Sequence, residues 1–535
     1  MLFTSYEFLG FLAVLVVLYY LVPKRCRWMF LLGASYLFYA LAGTEYLAYI
    51  LFTTVTVYYA ALRIERNADR QTAYLKEHKG KLTKEEKKAY KDRQKSVRLR
   101  WILAALLLNL GILAVVKYTN FAIANLNGIL HAFGEAFGKG ESRQFSFLDL
   151  ALPMGISFYT FQALGYLIDV YRGTVRAQRN FFRFALFVSF FPQLVQGPIS
   201  RFGDLSQTLY AEHAFDKRQV SLGLQRILWG YFKKLVIADR MLVGVNAVIG
   251  DPEAFQGAWV LVGMFFYALE LYADFTGGID ITIGIAQTLG ITLQENFERP
   301  FFSKSLKEYW RRWHITMGTW FRDYIFYPIS VCGFMQKFNK FSRRRLGEAV
   351  GKRLPVYLSS FVVWFATGIW HGASWNFIVW GLGNWAVLMV SETLEPLYDR
   401  FHQRFGAGGT GYRIFEVLRT FLLVSALRTF DCYRSVPVTF RMFGTLFRAR
   451  NWNILWDGSL LGLGLSPLDY GILAAGTLLL LAVSLLQRRG SVRERIFAKP
   501  YPVRFILWYG LFLTVLLTGA YGVGYDASQF IYNQF

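Results

Sequence analysis

Acidic residues are scarce in this chain. Its 535 residues hold 35 Asp and Glu against 59 Lys and Arg, a formal charge of +24. Charged residues of both signs together reach only 18%, below the ~25% of soluble globular proteins. That shortage excludes a disordered chain and a soluble multidomain enzyme. Cysteine is nearly missing: Cys26, Cys332 and Cys432 stand far apart and form no CxxC, so neither a zinc site nor a disulfide framework is indicated. There is no GxSxG elbow, no Walker A loop and no HExxH, which leaves a soluble-type serine hydrolase, a P-loop NTPase and a zinc protease without support. No separate basic region precedes the first apolar run and no small-residue cleavage site follows it. That run reads as a retained helix and not as a removed signal peptide.

What the chain has instead is apolar bulk. Hydrophobic residues make up 54% and aromatics 18%, with 50 Phe, 32 Tyr and 15 Trp. They fall in long runs. Alternating ~10-residue segments, the mark of a membrane β-barrel, are not seen. The expectation is an all-α, polytopic transmembrane helical bundle. Runs at 6–22, 29–42, 46–62 and 101–118 are long enough, or nearly so, to cross ~30 Å of hydrocarbon. The excess of Lys and Arg then reads as loops held on the cytoplasmic side, with no nucleic-acid partner. The connection 24–27 holds Lys24, Arg25 and Arg27, the one around Gly43-Thr44-Glu45 has no base, and 63–100 carries fourteen Lys/Arg against six Asp/Glu. Basic, non-basic, basic places 24–27 and 63–100 in the cytoplasm and the N-terminus outside. Residues 333–354 and 487–499 are basic again, so a last span at about 505–522 leaves the C-terminus outside as well. The 63–100 segment reads as a solvated helical extension that fixes topology beside membrane lipids, the alternative being a surface that holds anionic lipid or a partner.

The middle of the chain is less regular. Segments 150–170, 182–200, 222–238 and 258–294 are apolar but interrupted by Pro, Gly and single charges. Broken or re-entrant helices at membrane depth are tolerated where protein or a water-filled cavity covers the freed backbone, so a central cavity is expected there. Residues 355–390 contain a single group from the set Asp, Glu, Lys, Arg and His, and that group is His371. Trp364, Trp370, Trp375, Trp380 and Trp385 surround it, and Gly368 and Gly372 flank it. An ionisable residue at membrane depth is a functional hypothesis by default, and imidazole is the side chain that exchanges a proton near neutral pH. A buried, hydrogen-bonded structural histidine is the competing reading. Drawn as one helix, 309–324 puts Trp310, Trp313, His314, Met317 and Phe321 on one face, with Arg311 and Arg312 beside it. Glu270 and Asp274 share a helical face by i,i+4 spacing. Together with Asp280 they are expected to line a cavity or pair with Arg299, Arg311 or Arg312.

These stretches together resemble the membrane-bound O-acyltransferase family, in its bacterial branch of alginate O-acetyltransferases and related cell-envelope acyltransferases. The resemblance rests on Leu152-Pro153-Met154-Gly155-Ile156-Ser157-Phe158-Tyr159-Thr160-Phe161-Gln162, Phe190-Phe191-Pro192-Gln193-Leu194-Val195-Gln196-Gly197-Pro198-Ile199 and Tyr272-Ala273-Asp274-Phe275-Thr276-Gly277. It also rests on Glu295-Asn296-Phe297, the Trp-Arg-Arg-Trp-His of 310–314, Thr367-Gly368-Ile369-Trp370-His371-Gly372-Ala373-Ser374-Trp375 and the end Phe530-Ile531-Tyr532-Asn533-Gln534-Phe535. Residues 425–435 depart from the branch's usual Trp-Val-Phe-Phe-Arg-like run. The resemblance implies that His371 is catalytic and that His314 has a second catalytic or supporting role. Asp274, Trp310, Arg311, Trp313, Trp370, Gly372 and Trp375 are then expected to line or support the site. It implies no bound cofactor and no metal. The donor is expected to be acetyl-CoA or another acyl thioester, and the acceptor a polysaccharide or an extracytoplasmic acyltransferase partner. The expected location is the bacterial inner membrane. The implied organisation is N-terminal helices 1–118, a catalytic core 146–392 and C-terminal helices 393–535, forming one integrated membrane domain. Alternatives are D-alanyl transfer to teichoic acid, a transporter or flippase without chemistry, and a structural assembly factor.

Overall fold

The structure is a computed structural model that describes residues 3–136, 144–406 and 408–521. The terminal motif 530–535, and with it the expectation for the C-terminus, lies outside the described residues. Among those residues the chain is helical, and the only β pairing is an isolated bridge between Phe297 and Trp313. Five helices are long and apolar enough to cross a membrane, or six if the pair Trp375–Thr393 and Glu395–Phe405, bent by 54°, is one span. The runs at 6–22 and 29–42 form shorter helices, Tyr6–Leu21 and Arg27–Ala40.

The chain divides into two compact units. The first comprises Phe11–Val195 and Ile199–Ala214. Its basic segment is a helical hairpin. Leu47–Glu77 carries the third apolar run straight on into charge, and Lys84–Ala136 returns through charge into the fourth. Thr83 and Glu86 cap the returning helix reciprocally, the Thr83 amide donating to Glu86 Oε2 at 2.8 Å and the Glu86 amide to Thr83 Oγ1 at 3.2 Å, which satisfies two otherwise orphaned donors. Arg98 donates across the hairpin to Gln71 Oε1 at 2.6 Å. The helix does not stop where the apolar run ends at 118 but continues to Ala136. Gly155, in the Pro-Met-Gly turn, has φ +68°, and a Cβ there would collide with the Leu194 carbonyl. Only glycine fits both conditions.

Among the described residues the second unit comprises 3–10, 196–198, 215–406 and 408–521. Its centre is the Ala258–Thr288 helix, which is 83% buried over its apolar window. This helix runs unbroken through Gly277-Gly278, where interruption is expected. Gly277 serves contact: a Cβ there would lie 2.9 Å from the Gly230 carbonyl of the neighbouring helix Lys217–Tyr231. The true breaks lie elsewhere. Phe232–Ala238 and Arg322–Phe326 are π-helical turns, a form that re-aims side chains and clusters at functional sites.

Candidate active site

Two interrupted elements of the second unit carry the histidines. The first is the 306–321 segment. It is not one helix: Leu306–Arg312 ends, Trp313 becomes extended, His314 adopts φ 49° and ψ 52°, and Ile315–Phe321 begins. A non-glycine residue in this left-handed region costs about 1–2 kcal/mol, so something must hold it. Asn296 does. Its carbonyl accepts from the Ile315 amide at 3.0 Å, and its Oδ1 accepts from the Thr316 amide and hydroxyl, both at 3.0 Å. The Asn296 side-chain amide also faces His314 Nδ1, its nitrogen at 3.3 Å and its oxygen at 3.4 Å. The expected single face of Trp310, Trp313, His314, Met317 and Phe321 is therefore cut at Trp313-His314, because partners eighteen residues upstream outbid the helical bonds.

The second element is the Leu354–His371 helix, whose final residue is His371. It turns through Gly372 into Trp375–Thr393, and the two helices pack closely. The close approach depends on two glycines: a Cβ on Gly381 would lie 2.5 Å from the Trp364 carbonyl, and one on Gly368 would lie 2.6 Å from the Phe377 carbonyl. This crossing delivers Trp380 to His371, edge-on at 4.6 Å between ring centroids, with Phe377 stacked at 6.4 Å. Gly381→Val is expected to force the helices apart and abolish activity with reduced folded protein. A fully active Gly381→Val enzyme in a membrane assay removes this account of how the box is built.

Trp370 joins the two histidines. Its ring lies 5.1 Å from that of His371 and 6.0 Å from that of His314, so the imidazoles are at most about 11 Å apart. Both are buried. Trp310 completes the box at 5.7 Å from Trp380, its indole N–H donating to Asn384 at 3.0 Å. Trp313 stacks on Tyr309 at 5.5 Å. The structure thus brings together His314, His371, Trp310, Trp313, Trp370 and Gly372. It leaves Arg311 exposed and Trp375 exposed at 56%.

Asp274 and Asp280 are paired, but not with the arginines expected, and Asp280 also lines a cavity, as expected. Asp274 accepts Lys234 Nζ at 2.6 Å, and Lys234 reaches Asp239 at 2.8 Å. Asp280 accepts Lys233 at 2.6 Å and Arg226 at 2.8 Å, and Arg226 also binds Glu295 at 2.5 Å. The π-helical turn supplies both lysines, and its partners on the facing helix cannot be read from local spacing. Glu295 precedes Asn296, so its bond to the buried Arg226 anchors the loop that shapes His314, although Glu295 itself is exposed.

Sequence reasoning missed Arg428. It is buried, pairs with Asp431 at 2.7 Å, and lies 4.6 Å from the Trp380 ring, 5.4 Å from Trp313 and 5.6 Å from Trp310. The signal was present as opposite charges at i,i+3 inside an otherwise apolar stretch.

Residues 175–430 match the family described as MBOAT, membrane-bound O-acyltransferase family. The chain is 33% identical to a protein named probable alginate O-acetylase AlgI of Azotobacter vinelandii over 459 residues, covering 85% of this chain and 79% of that one. This chain belongs to the membrane-bound O-acyltransferase family. It is also 30% identical to a peptidoglycan O-acetyltransferase of Helicobacter pylori, over 74% of this chain and 69% of that protein. To a teichoic acid D-alanyltransferase of Bacillus subtilis it is 27% identical, over 47% and 61%. As a membrane-bound O-acyltransferase the protein is an enzyme, which sets aside the transporter and assembly-factor alternatives. With its apolar helices it is a multi-pass membrane protein.

Proposed function

We propose that this enzyme moves an acetyl group from a cytoplasmic thioester, acetyl-CoA or a similar donor, towards hydroxyls of an extracytoplasmic cell-envelope polysaccharide, an O-acetylation of the alginate type. His371 is the general base. The observation that carries the reading is a lone imidazole at a helix end, walled by Trp370, Phe377 and Trp380 and joined through Trp370 to His314. The imidazole takes the acceptor hydroxyl's proton as that oxygen attacks the thioester carbonyl. The tetrahedral intermediate collapses, the carbon–sulfur bond breaks, and the thiolate leaves with the proton returned by the imidazolium. Proton transfer by a positioned group contributes typically about 10²–10⁴-fold. His314 orients the acceptor or steadies developing charge.

A cavity of about 690 Å³ supports the donor side. Phe297 and Ile315, neighbours of the His314 turn, form one wall; Val483, Leu507 and Leu511 form an apolar one; Arg299, Arg488 and Arg493 line it as cations. Asp280, Glu295 and Glu298 line it too, the first two already paired with Arg226; the apolar wall beside the remaining cations suits a slender thioester arm carrying phosphate. Acetyl is favoured over D-alanyl because the O-acetylase relatives match over far more of the chain. The acceptor is the polymer itself or an extracytoplasmic acyltransferase partner that passes the group on. Supplying labelled acetyl-CoA to inside-out membrane vesicles should label alkali-labile ester. Labelling only from a D-alanyl thioester refutes the acetyl donor.

The proposed orientation places the protein in the inner membrane with its basic loops in the cytoplasm. Single cysteines introduced into a variant lacking Cys26, Cys332 and Cys432 test it. Lys81→Cys and Arg345→Cys should resist an impermeant thiol reagent in intact cells, and Thr44→Cys should react. Reaction at 345 from outside reverses the orientation.

A further inference from the structure

A second cavity of about 500 Å³ lies between the Lys217–Tyr231 and Tyr501–Thr518 helices, and its walls are almost entirely apolar. The two helices begin at the same end of this groove. Lys217 and Arg504 line it within their first turns. Below them Val220, Leu224 and Leu228 on one helix face Phe505, Tyr509 and Phe512 on the other. From 217 to 228 the rise is ~16 Å at 1.5 Å per residue, about half of a ~30 Å hydrocarbon core. Cations at the top and one leaflet's depth of apolar wall beneath match the profile of a phospholipid.

Four observations point to an anionic lipid. The Tyr501–Thr518 helix buries only 6% of its apolar window, so most of its apolar surface is turned outward. The basic 487–499 segment stands at the same end, tied there by the Arg218–Glu494 pair at 2.5 Å. The acids at this mouth are already committed, Asp216 capping its own helix and Glu494 holding Arg218. Lys217 and Arg504 have no ion-pair acid among the described residues. The Arg504 guanidinium lies over Phe497 at 4.2 Å, while its buried Nε and the buried Trp508 indole N–H find no acceptor among the described residues. A phosphodiester offers acceptors to both kinds of donor, and basic side chains near a bilayer surface favour anionic over zwitterionic headgroups.

We infer that this groove is a binding site for an anionic glycerophospholipid, one acyl chain between the two helices and the phosphate beside Lys217 and Arg504. Native mass spectrometry of the purified enzyme, with phosphatidylglycerol and phosphatidylcholine of identical chains, tests it. The wild type should retain phosphatidylglycerol preferentially. Lys217→Gln with Arg504→Gln should lower that retention about tenfold or more, as expected for losing two cations from an anionic headgroup. Lys337→Gln with Lys340→Gln, basic residues outside the groove, should change nothing. Leu224→Trp, which fills the groove, should lose both lipids, and inorganic phosphate should displace neither. Equal retention of the two lipids by the wild type overturns the site. So does an undiminished preference in the Lys217/Arg504 variant, which keeps the test valid if Leu224→Trp fails to fold.

Discussion

Replacing His371 by glutamine is expected to abolish ester formation while leaving the enzyme in the membrane at its normal level. The side chains are similar in size and both carry hydrogen-bonding atoms. A purely structural buried histidine would therefore tolerate the change at about 1–3 kcal/mol, with activity surviving in whatever protein remained folded. A general base cannot be exchanged so, because an amide does not accept a proton near pH 7. The loss should appear in kcat with the donor's KM little changed, since the interaction removed is made in the transition state. His314→Gln should be severely but incompletely impaired. An amide donor partly mimics an imidazole that stabilises charge, and Asn296 still faces the new side chain. The assay is polymer-bound ester released by mild base, normalised to enzyme abundance on an immunoblot. Wild-type ester in the His371→Gln strain returns this residue to a structural role.

Much of the molecule could be read from the chain because the bilayer enforces simple rules. Apolar runs became helices, and the charge pattern of 63–100 became a helical hairpin between Leu47–Glu77 and Lys84–Ala136. His371 was visible because a lone ionisable group in an apolar stretch needs a reason. What could not be read depended on partners distant in sequence. Periodicity carries a helix straight through His314, since nothing local announces that Asn296 will take the Ile315 and Thr316 amides. Lys233-Lys234 was plain within an apolar segment, but the choice of Asp274 and Asp280 over a carboxylate elsewhere is made by packing. Arg428 was legible and overlooked. It sits in the stretch that departs from the family's usual run, and there the resemblance gave no guidance.

That arginine yields the other large effect. Arg428 and Asp431 are both buried, one turn apart on the Thr410–Tyr433 helix, and bonded at 2.7 Å. Removing one partner leaves an uncompensated charge in the interior, which costs about 3–5 kcal/mol. Arg428→Met alone should therefore strip most of the folded enzyme from the membrane, and Asp431→Leu alone should do the same. The double variant strands no charge. It forfeits the contacts of the guanidinium with Trp380, Trp313 and Trp310, a loss of about 2 kcal/mol or more for a desolvated cation–π interaction. The double should thus melt in detergent well above either single, although below the wild type. Because Trp380 packs directly on His371, its activity per folded molecule then reports whether the guanidinium also fixes that indole. A double variant no more stable than Arg428→Met would mean that the pair's charges do not govern stability here, and that the aromatic contacts carry the whole effect.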